Sequence, residues 1–241
     1  MTSSIRTILF DAGNTLLHLD YAFIANVLTE HGCARTVMDI RVAEYAAKAA
    51  IDRELAPSVA TPESVEGLLW PTGGTRPSYF AVALHQLGID AEQAPPVLEA
   101  LRRHNEADCL WRVIQPDTAG VLEELRRRGF TLGVVSNADG RIEGDIERRG
   151  LSGHFATVVD SHVVGVEKPD PAIFAIAMER VGATAGESVY VGDVYGIDVV
   201  GARRAGMDAI LVDTLDRYPG NLDCKRIRSL TELLDLMPAK I

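Results

Sequence analysis

"ILFDAGNTLLHLD", residues 8–20, is the stretch from which the whole chain can be read. The apolar run Thr7–Phe10 stops abruptly at Asp11, and the turn formers Gly13 and Asn14 follow with Thr15. An unbroken apolar run of this length fits a strand covered on both faces, as in a parallel sheet. The carboxyl ends of such strands line the ligand crevice of an open α/β sheet. A carboxylate placed there is a candidate for chemistry.

Outward from that strand, two more apolar runs have the same character, Thr131–Ser136 ("TLGVVS") and Ser188–Val191 ("SVYV"), with weaker ones at Thr157–Val159 and Ala209–Val212. Helical segments alternate with them. Asp117 is placed to cap "TAGVLEELRRRG", and "GRIEGDIERRG" follows the second run. Asp170-Pro171 is an N-cap followed by proline at the first helical position, "GIDVVGARRAG" follows the "SVYV" strand, and Ser229 and Glu232 have capping-box spacing. Strand and helix in alternation predict right-handed βαβ units and a Rossmann-like, doubly wound parallel α/β sheet.

Residues 19–115 break the rhythm. "YAFIANVLTEHG", "MDIRVAEYAAKAAIDREL", "SYFAVALHQLG" and "APPVLEALRRHNEADCLW" carry the 3.6-residue apolar period of amphipathic helices and almost no strand signal. The expectation is a core of residues 1–18 and 116–241 with an all-helical cap domain inserted after the first strand. Both ends of that insert return to the strand edge that bears Asp11, so it is expected to roof the site. Its loop "LLWPTGGTRP", Leu68–Pro77, is read as a helix–helix connection.

Four polar groups then fall at strand ends: Asp11, Ser136-Asn137, Lys168 in "VGVEKPDP", and Gly192-Asp193 with Asp198 five residues on. One acid after a strand is commonly a helix cap, but four groups on one edge point to a site. Asp11 and Asp193 are hard oxygen donors suited to one Mg²⁺. Lys168 adds a fixed cation, Ser136 a hydroxyl and a backbone N–H for phosphate, and Asp11 is free to attack phosphorus. Asp198 is expected to orient Lys168 or a metal-bound water.

The remainder of the sequence narrows the function classes. The chain has 241 residues, 47% hydrophobic and 24% charged, enough for a large core. A formal net charge of −10 argues against nucleic acid and anionic membrane surfaces as partners. It also means that an anionic substrate needs a metal or local cations. Cys33, Cys109 and Cys224 form no CxxC pair and are read as thiols of a reducing cytoplasm. No signal-peptide core or membrane-length apolar run is present in the sequence. Monomer and homodimer are both compatible with it.

"FDAGNT", "VVSN", "EKPDP" and "VGDVYGID" together resemble the four motifs of the haloacid dehalogenase-like hydrolase superfamily, and the helical insert resembles the C1 cap of its subfamily I. The resemblance spans roughly residues 7–215. It implies a Rossmann-like core, Mg²⁺ dependence and, most often, hydrolysis of a small phosphorylated substrate. It assigns the nucleophile to Asp11, phosphate contact to Ser136 and Lys168 with Asn137 and Thr15 beside them, and metal binding to Asp11, the Gly13 carbonyl and Asp193.

Gly13 departs from the pattern, because family phosphatases usually carry there an acid that protonates the leaving alcohol. General acid–base help is typically worth about 10²–10⁴ in rate. Three explanations stay open: a phosphatase with another proton source or a good leaving group; different chemistry, such as a phosphonatase using a cap lysine, for which Lys48 is the candidate; or a binding protein that turns over poorly. The intact Gly192-Asp193 pair argues against 2-haloacid dehalogenation. A glycine at 13 would also suit a left-handed backbone. Lys48 is read as a solvated helix lysine, His18 and Arg76 as solvated loop residues, and Asp139 as a helix N-cap rather than a replacement acid.

Overall fold

The structure is a computed structural model that describes residues 5–57 and 79–239. Leu68–Pro77 and Arg76 therefore lie outside the described residues. Compact packing divides the chain into two units, Leu19–Trp111 and the remainder.

In chain order the elements of the first passage are β1 (Thr7–Phe10), β2 (His18–Leu19), α1 (Tyr21–Glu30), α2 (Val37–Leu55), α3 (Tyr79–Gln86), α4 (Ala94–Ala107) and β3 (Trp111–Val113). There follow α5 (Thr118–Arg127), β4 (Thr131–Ser136), α6 (Ile142–Arg148), β5 (Thr157–Asp160), α7 (Ser161–Val164) and α8 (Pro171–Val181). The chain closes with β6 (Ser188–Gly192), α9 (Val200–Arg204), β7 (Asp208–Val212), β8 (Lys225–Ile227) and α10 (Leu233–Leu236).

Six strands form one sheet in the order β5-β4-β1-β6-β7-β8, all five pairs of neighbours parallel. The chain winds from β1 to β4 and β5, then crosses back to β6 on the other side of β1. The sheet therefore reverses direction at β1, and the carboxyl ends of β4, β1 and β6 flank that switch point, where open α/β sheets bind ligands. Register is set by Phe10 opposite both Val134 and Val191, so Asp11, Ser136 and Asp193 emerge on one edge. The strand interiors are fully buried at Ile8, Leu9, Phe10, Val134, Val189 and Tyr190, as expected for a sheet covered on both faces.

The helical unit packs α1, α2, α3 and α4 around Ile24, Val27, Leu28, Ile40, Leu84, Val97 and Leu101. Thr36 and Asp39 close a reciprocal capping box at the start of α2. Two features of this stretch differ from the sequence reading. The insert is not flanked by helix alone, because β2 and β3 pair as a two-stranded sheet and Asp20 N–H donates to Leu110 C=O at 2.9 Å. Lys48, read as solvated, is buried, 4% exposed, with Glu44 at 3.8 Å and the Tyr45 ring beneath its ammonium. The Tyr21 and Tyr79 hydroxyls both donate to Glu44. Small residues around Lys48 (Ala46, Ala47, Ala49) let α3 close over this face of α2, and the lysine is covered with its counter-ion.

Several caps also differ. Asp117 occupies the N-cap of α5 but makes no capping bond, since its backbone is already helical. Ser229 bonds Thr231 while Glu232 accepts from Arg228 N–H, so no capping box forms there. Asp139 is not the cap of α6. Asp160, at the end of β5, accepts from Gly140 N–H at 2.9 Å and, more distantly, from Ile142 N–H. Asp170 does cap α8, accepting from Ala172 N–H. Among the described residues no helix is long and apolar enough to cross a membrane.

Candidate active site

Asp11 is carried at the end of β1, and its N–H donates to Val191 C=O at 2.8 Å, an added rung of the ladder that ties it to β6. The next four residues form a tight turn in which Ala12 C=O accepts from Leu16 and Leu17. The left-handed residue of that turn is Asn14, φ 52°, while Gly13 is not among the glycines with positive φ. Backbone strain is therefore not the reason for glycine at 13. Thr15 is buried in the turn, its hydroxyl without a hydrogen-bond partner among the described residues. His18 lies half-buried on β2 rather than in an open loop.

Lys168 reaches this edge from the loop before α8. Its ammonium donates to Asp11 Oδ1 at 2.7 Å, to Asp198 Oδ1 at 2.7 Å and to the Tyr190 hydroxyl at 2.9 Å. All three ammonium hydrogens are thereby accounted for. The loop is itself clasped by Asn137, whose Oδ1 accepts from Lys168 N–H at 2.7 Å and whose Nδ2 donates to Lys168 C=O at 2.9 Å. Asn137, expected at the substrate, instead commits both ends of its amide to the lysine's backbone. Its position at the end of β4 is what brings it there.

Asp198 sits on a single π-helical turn, Tyr195–Val199, that leads into α9. Its Oδ2 accepts from Asp193 N–H at 3.0 Å and Val194 N–H at 2.9 Å, and its Oδ1 from Lys168. Gly192 makes this possible, because a Cβ there would lie 2.4 Å from the Asp198 carboxyl carbon. Asp198 thus folds back over the strand end and orients Lys168 while fixing the backbone of Asp193. Tyr218, from the segment after β7, donates to Asp193 C=O at 3.3 Å. Ser136 is buried at the end of β4, level with Asp160 on β5.

Carboxylate oxygens of Asp11, Asp193 and Asp198 all lie within 4.8 Å of one another. Three buried carboxylates face one ammonium, leaving two negative charges in excess if all are ionised. Burial pushes the Asp11 carboxyl up to about 7, Lys168 opposes this, and the Asp198 and Asp193 charges add to it. Burial alone would pull the Lys168 ammonium down, but Asp11 and Asp198 outweigh it and hold it above the usual lysine range. A desolvated pocket with this charge imbalance and hard oxygen donors fits a divalent cation of the Mg²⁺ type. Asp198 commits both of its oxygens to Lys168 and two backbone N–H groups, which makes it the least suited of the three to such an ion.

Sequence reasoning missed Tyr190, Tyr218 and Asp160. A tyrosine inside an apolar strand gives no signal of function, and the acceptors of Tyr190 and Tyr218 lie 55 and 25 residues away in sequence. Asp139 is an exposed carboxylate paired with Arg141 at 2.6 Å, which holds it below its usual range. That makes it a poor proton donor.

The family model for haloacid dehalogenase-like hydrolases matches residues 5–206. The chain belongs to this family. The hydrolase is 30% identical, over all of its own length and 98% of the relative's, to haloacid dehalogenase-like hydrolase domain-containing protein 3 of Danio rerio. It is 35% identical to glyceraldehyde 3-phosphate phosphatase of Methanopyrus kandleri over 58% of this chain and 60% of that protein. The crystal structure of a phosphatase of this family from Thermococcus onnurineus superposes with a TM-score of 0.62 at 26% identity, covering 98% of this chain and 99% of the other. The family and the Rossmann-like core expected from the four motifs are both what these likenesses show.

Proposed function

We propose that this hydrolase is a Mg²⁺-dependent phosphatase acting on a small phosphorylated metabolite, with Asp11 as nucleophile. The carrying observation is the convergence of Asp11, Lys168, Asp193 and Asp198 on one buried strand edge. The phosphatases among its relatives support the same reading.

In this reading Asp11, the Gly13 carbonyl and Asp193 would hold the metal, whose charge would offset that of the phosphate and of the excess carboxylates. Lys168 aims Asp11 and favours its ionised form against the burial that opposes it. The free Asp11 oxygen attacks phosphorus, the alkoxide or carboxylate leaves, and an aspartyl-phosphate remains for water to cleave. Ser136, at the end of β4, offers a hydroxyl and backbone N–H to the phosphoryl oxygens. A panel of phosphorylated metabolites, assayed with and without Mg²⁺, tests the proposal. Hydrolysis that is indifferent to chelation, or absent throughout, would remove it.

Asp193→Ala is expected to weaken Mg²⁺ binding at least about tenfold, the scale on which loss of one charge-assisted contact acts. Calorimetric titration measures it, and unchanged affinity would take Asp193 out of the metal site.

Gly13 predicts the substrate preference. With no carboxylic acid at 13 to protonate a departing alkoxide, aryl and acyl phosphates should be cleaved in preference to alkyl esters. Gly13→Asp should raise kcat/KM on an alkyl phosphate by about tenfold or more and change the aryl rate much less, since only the poor leaving group needs the proton. Gly13 is not among the left-handed glycines, so an aspartate there meets no positive-φ penalty, and a folding check on the variant accompanies the assay. A wild type that already cleaves alkyl phosphates as fast as aryl ones would locate the acid elsewhere. If both proteins bind Mg²⁺ and phosphate but hydrolyse neither ester class, the poorly catalytic binding protein becomes the better reading.

A further inference from the structure

We propose that Tyr190 is a positioning residue, and that its phenol fixes the Lys168 ammonium against Asp11. The inference concerns the geometry of the lysine and rests on the phosphatase reading only for its kinetic consequence.

Tyr190 lies in the middle of β6 between Val189 and Val191, fully buried. Its hydroxyl donates to Val135 C=O at 2.7 Å and accepts from Lys168 Nζ at 2.9 Å. The donor and acceptor capacities of the phenol are both used, so its rotation is fixed. Val135 immediately precedes Ser136, so one hydroxyl links β6, the end of β4 and the Lys168 loop. The ring packs edge-on against Phe174 of α8, with centroids 4.9 Å apart, while the placement of the hydroxyl is set by its two hydrogen bonds.

The other two partners of Lys168 are both carboxylates, Asp11 and Asp198. Two equivalent anions do not by themselves define where a compact ammonium sits between them, since either can draw it closer. A neutral acceptor on a rigid strand supplies the third point that does. Asn137 fixes the lysine backbone, and Tyr190 fixes the far end of the same side chain. An apolar residue at 190 would fill the sheet equally well but leave one ammonium hydrogen and the Val135 carbonyl unpaired in a dry interior. The phenol is therefore not explained by packing alone.

The chain contains four lysines, Lys48, Lys168, Lys225 and Lys240, so their ammonium groups can be resolved by ¹⁵N–¹H spectroscopy. In the wild type, Lys168 should give a slowly exchanging ammonium signal with a cross-relaxation peak to the Tyr190 ring. That peak needs no variant, and its absence from an assigned ammonium signal would overturn the proposal. In Tyr190→Phe the Lys168 hydrogens should exchange about fivefold faster or more, because the hydrogen bond to the Tyr190 hydroxyl is gone. Turnover of a phosphate ester should fall about five- to tenfold in kcat with KM within twofold, the pattern of a group that aims the nucleophile rather than holds substrate. Phe174→Leu loosens the same ring packing without touching the hydroxyl, so it should lower stability and leave the Lys168 exchange slow. If Phe174→Leu and Tyr190→Phe accelerate exchange alike, packing rather than the hydroxyl is responsible and the proposal fails. If exchange accelerates only in Tyr190→Phe while neither that variant nor the wild type hydrolyses any phosphate, the positioning inference stands and the phosphatase reading falls.

Discussion

Asp11→Asn is expected to lose turnover by at least about 10⁴-fold, the scale seen when a covalent nucleophile is removed. The variant should fold as well as the parent. Asparagine has the shape of aspartate, and its carbonyl oxygen can still accept from Lys168 at the 2.7 Å position now taken by Asp11 Oδ1. The substitution removes one of three clustered carboxylates, two of which pair with the single ammonium, so it lowers the charge excess of the pocket instead of creating an unpaired charge. Burial already pushes the Asp11 carboxyl up to about 7 even with Lys168 beside it, so its ionised form is costly to keep in the folded protein without a further cation. Unfolding in urea should therefore show stability equal to or slightly above the parent's in the absence of Mg²⁺, while single-turnover assays show no burst of product. A pure Asn variant with parental activity would remove Asp11 from the nucleophile's role.

Lys168→Met is expected to cost about 3–5 kcal/mol of stability at neutral pH as well as activity, the penalty for leaving buried charges without their partner. The lysine side chain is 2% exposed, and its ammonium is paired with both Asp11 and Asp198. Removing it leaves those carboxylates facing each other and Asp193 in a desolvated site. The sign of the pH dependence follows. Without the lysine the Asp11 carboxyl, already raised by burial, titrates further above its unfolded value, because the one charge opposing the shift is gone while Asp198 and Asp193 still repel it. Its protonated form is the one the folded state favours, so the variant's deficit is greatest at neutral pH. It should narrow as pH falls through the raised carboxylate range. Mg²⁺ should restore part of the loss at neutral pH, because an ion bound only by the folded state stabilises it. Denaturation series at several pH values, with and without Mg²⁺, measure both effects. A deficit that does not depend on pH would mean that the lysine acts through packing and not through charge.

The sequence by itself determined the layered core. The runs Thr7–Phe10 and Thr131–Ser136 became strands with those same bounds, and the run Ser188–Val191 gained only Gly192. An apolar run bounded by turn residues leaves a backbone few other ways to satisfy its hydrogen bonds once buried. Asp11, Ser136 and Asp193 were legible for the same reason: a polar residue closing such a run has to emerge at the sheet edge. Asp170-Pro171 was legible because a cap acts on residues next to it in the chain.

What the tertiary structure alone decided are the partnerships between segments far apart in sequence. Asp160, the N-cap of α7, also receives the Gly140 and Ile142 amides leading into α6 where Asp139 was expected, because β5 delivers a carboxylate to amide groups some twenty residues earlier in the chain. Lys48 is buried beside Glu44 because α3 packs over an alanine-rich face of α2, and the pattern of α2 alone cannot say which neighbour will arrive. Asn137 clasps a backbone 31 residues away, and Tyr190 bonds both Lys168 and Val135. The segment after Arg217, which carries no motif, supplies strand β8 and the Tyr218 hydroxyl beneath Asp193. Periodicity and capping are short-range, set by neighbours within about four residues. The aim of a side chain in a buried polar cluster is set by which donors and acceptors the completed sheet brings within 3 Å, and no local pattern encodes that distance.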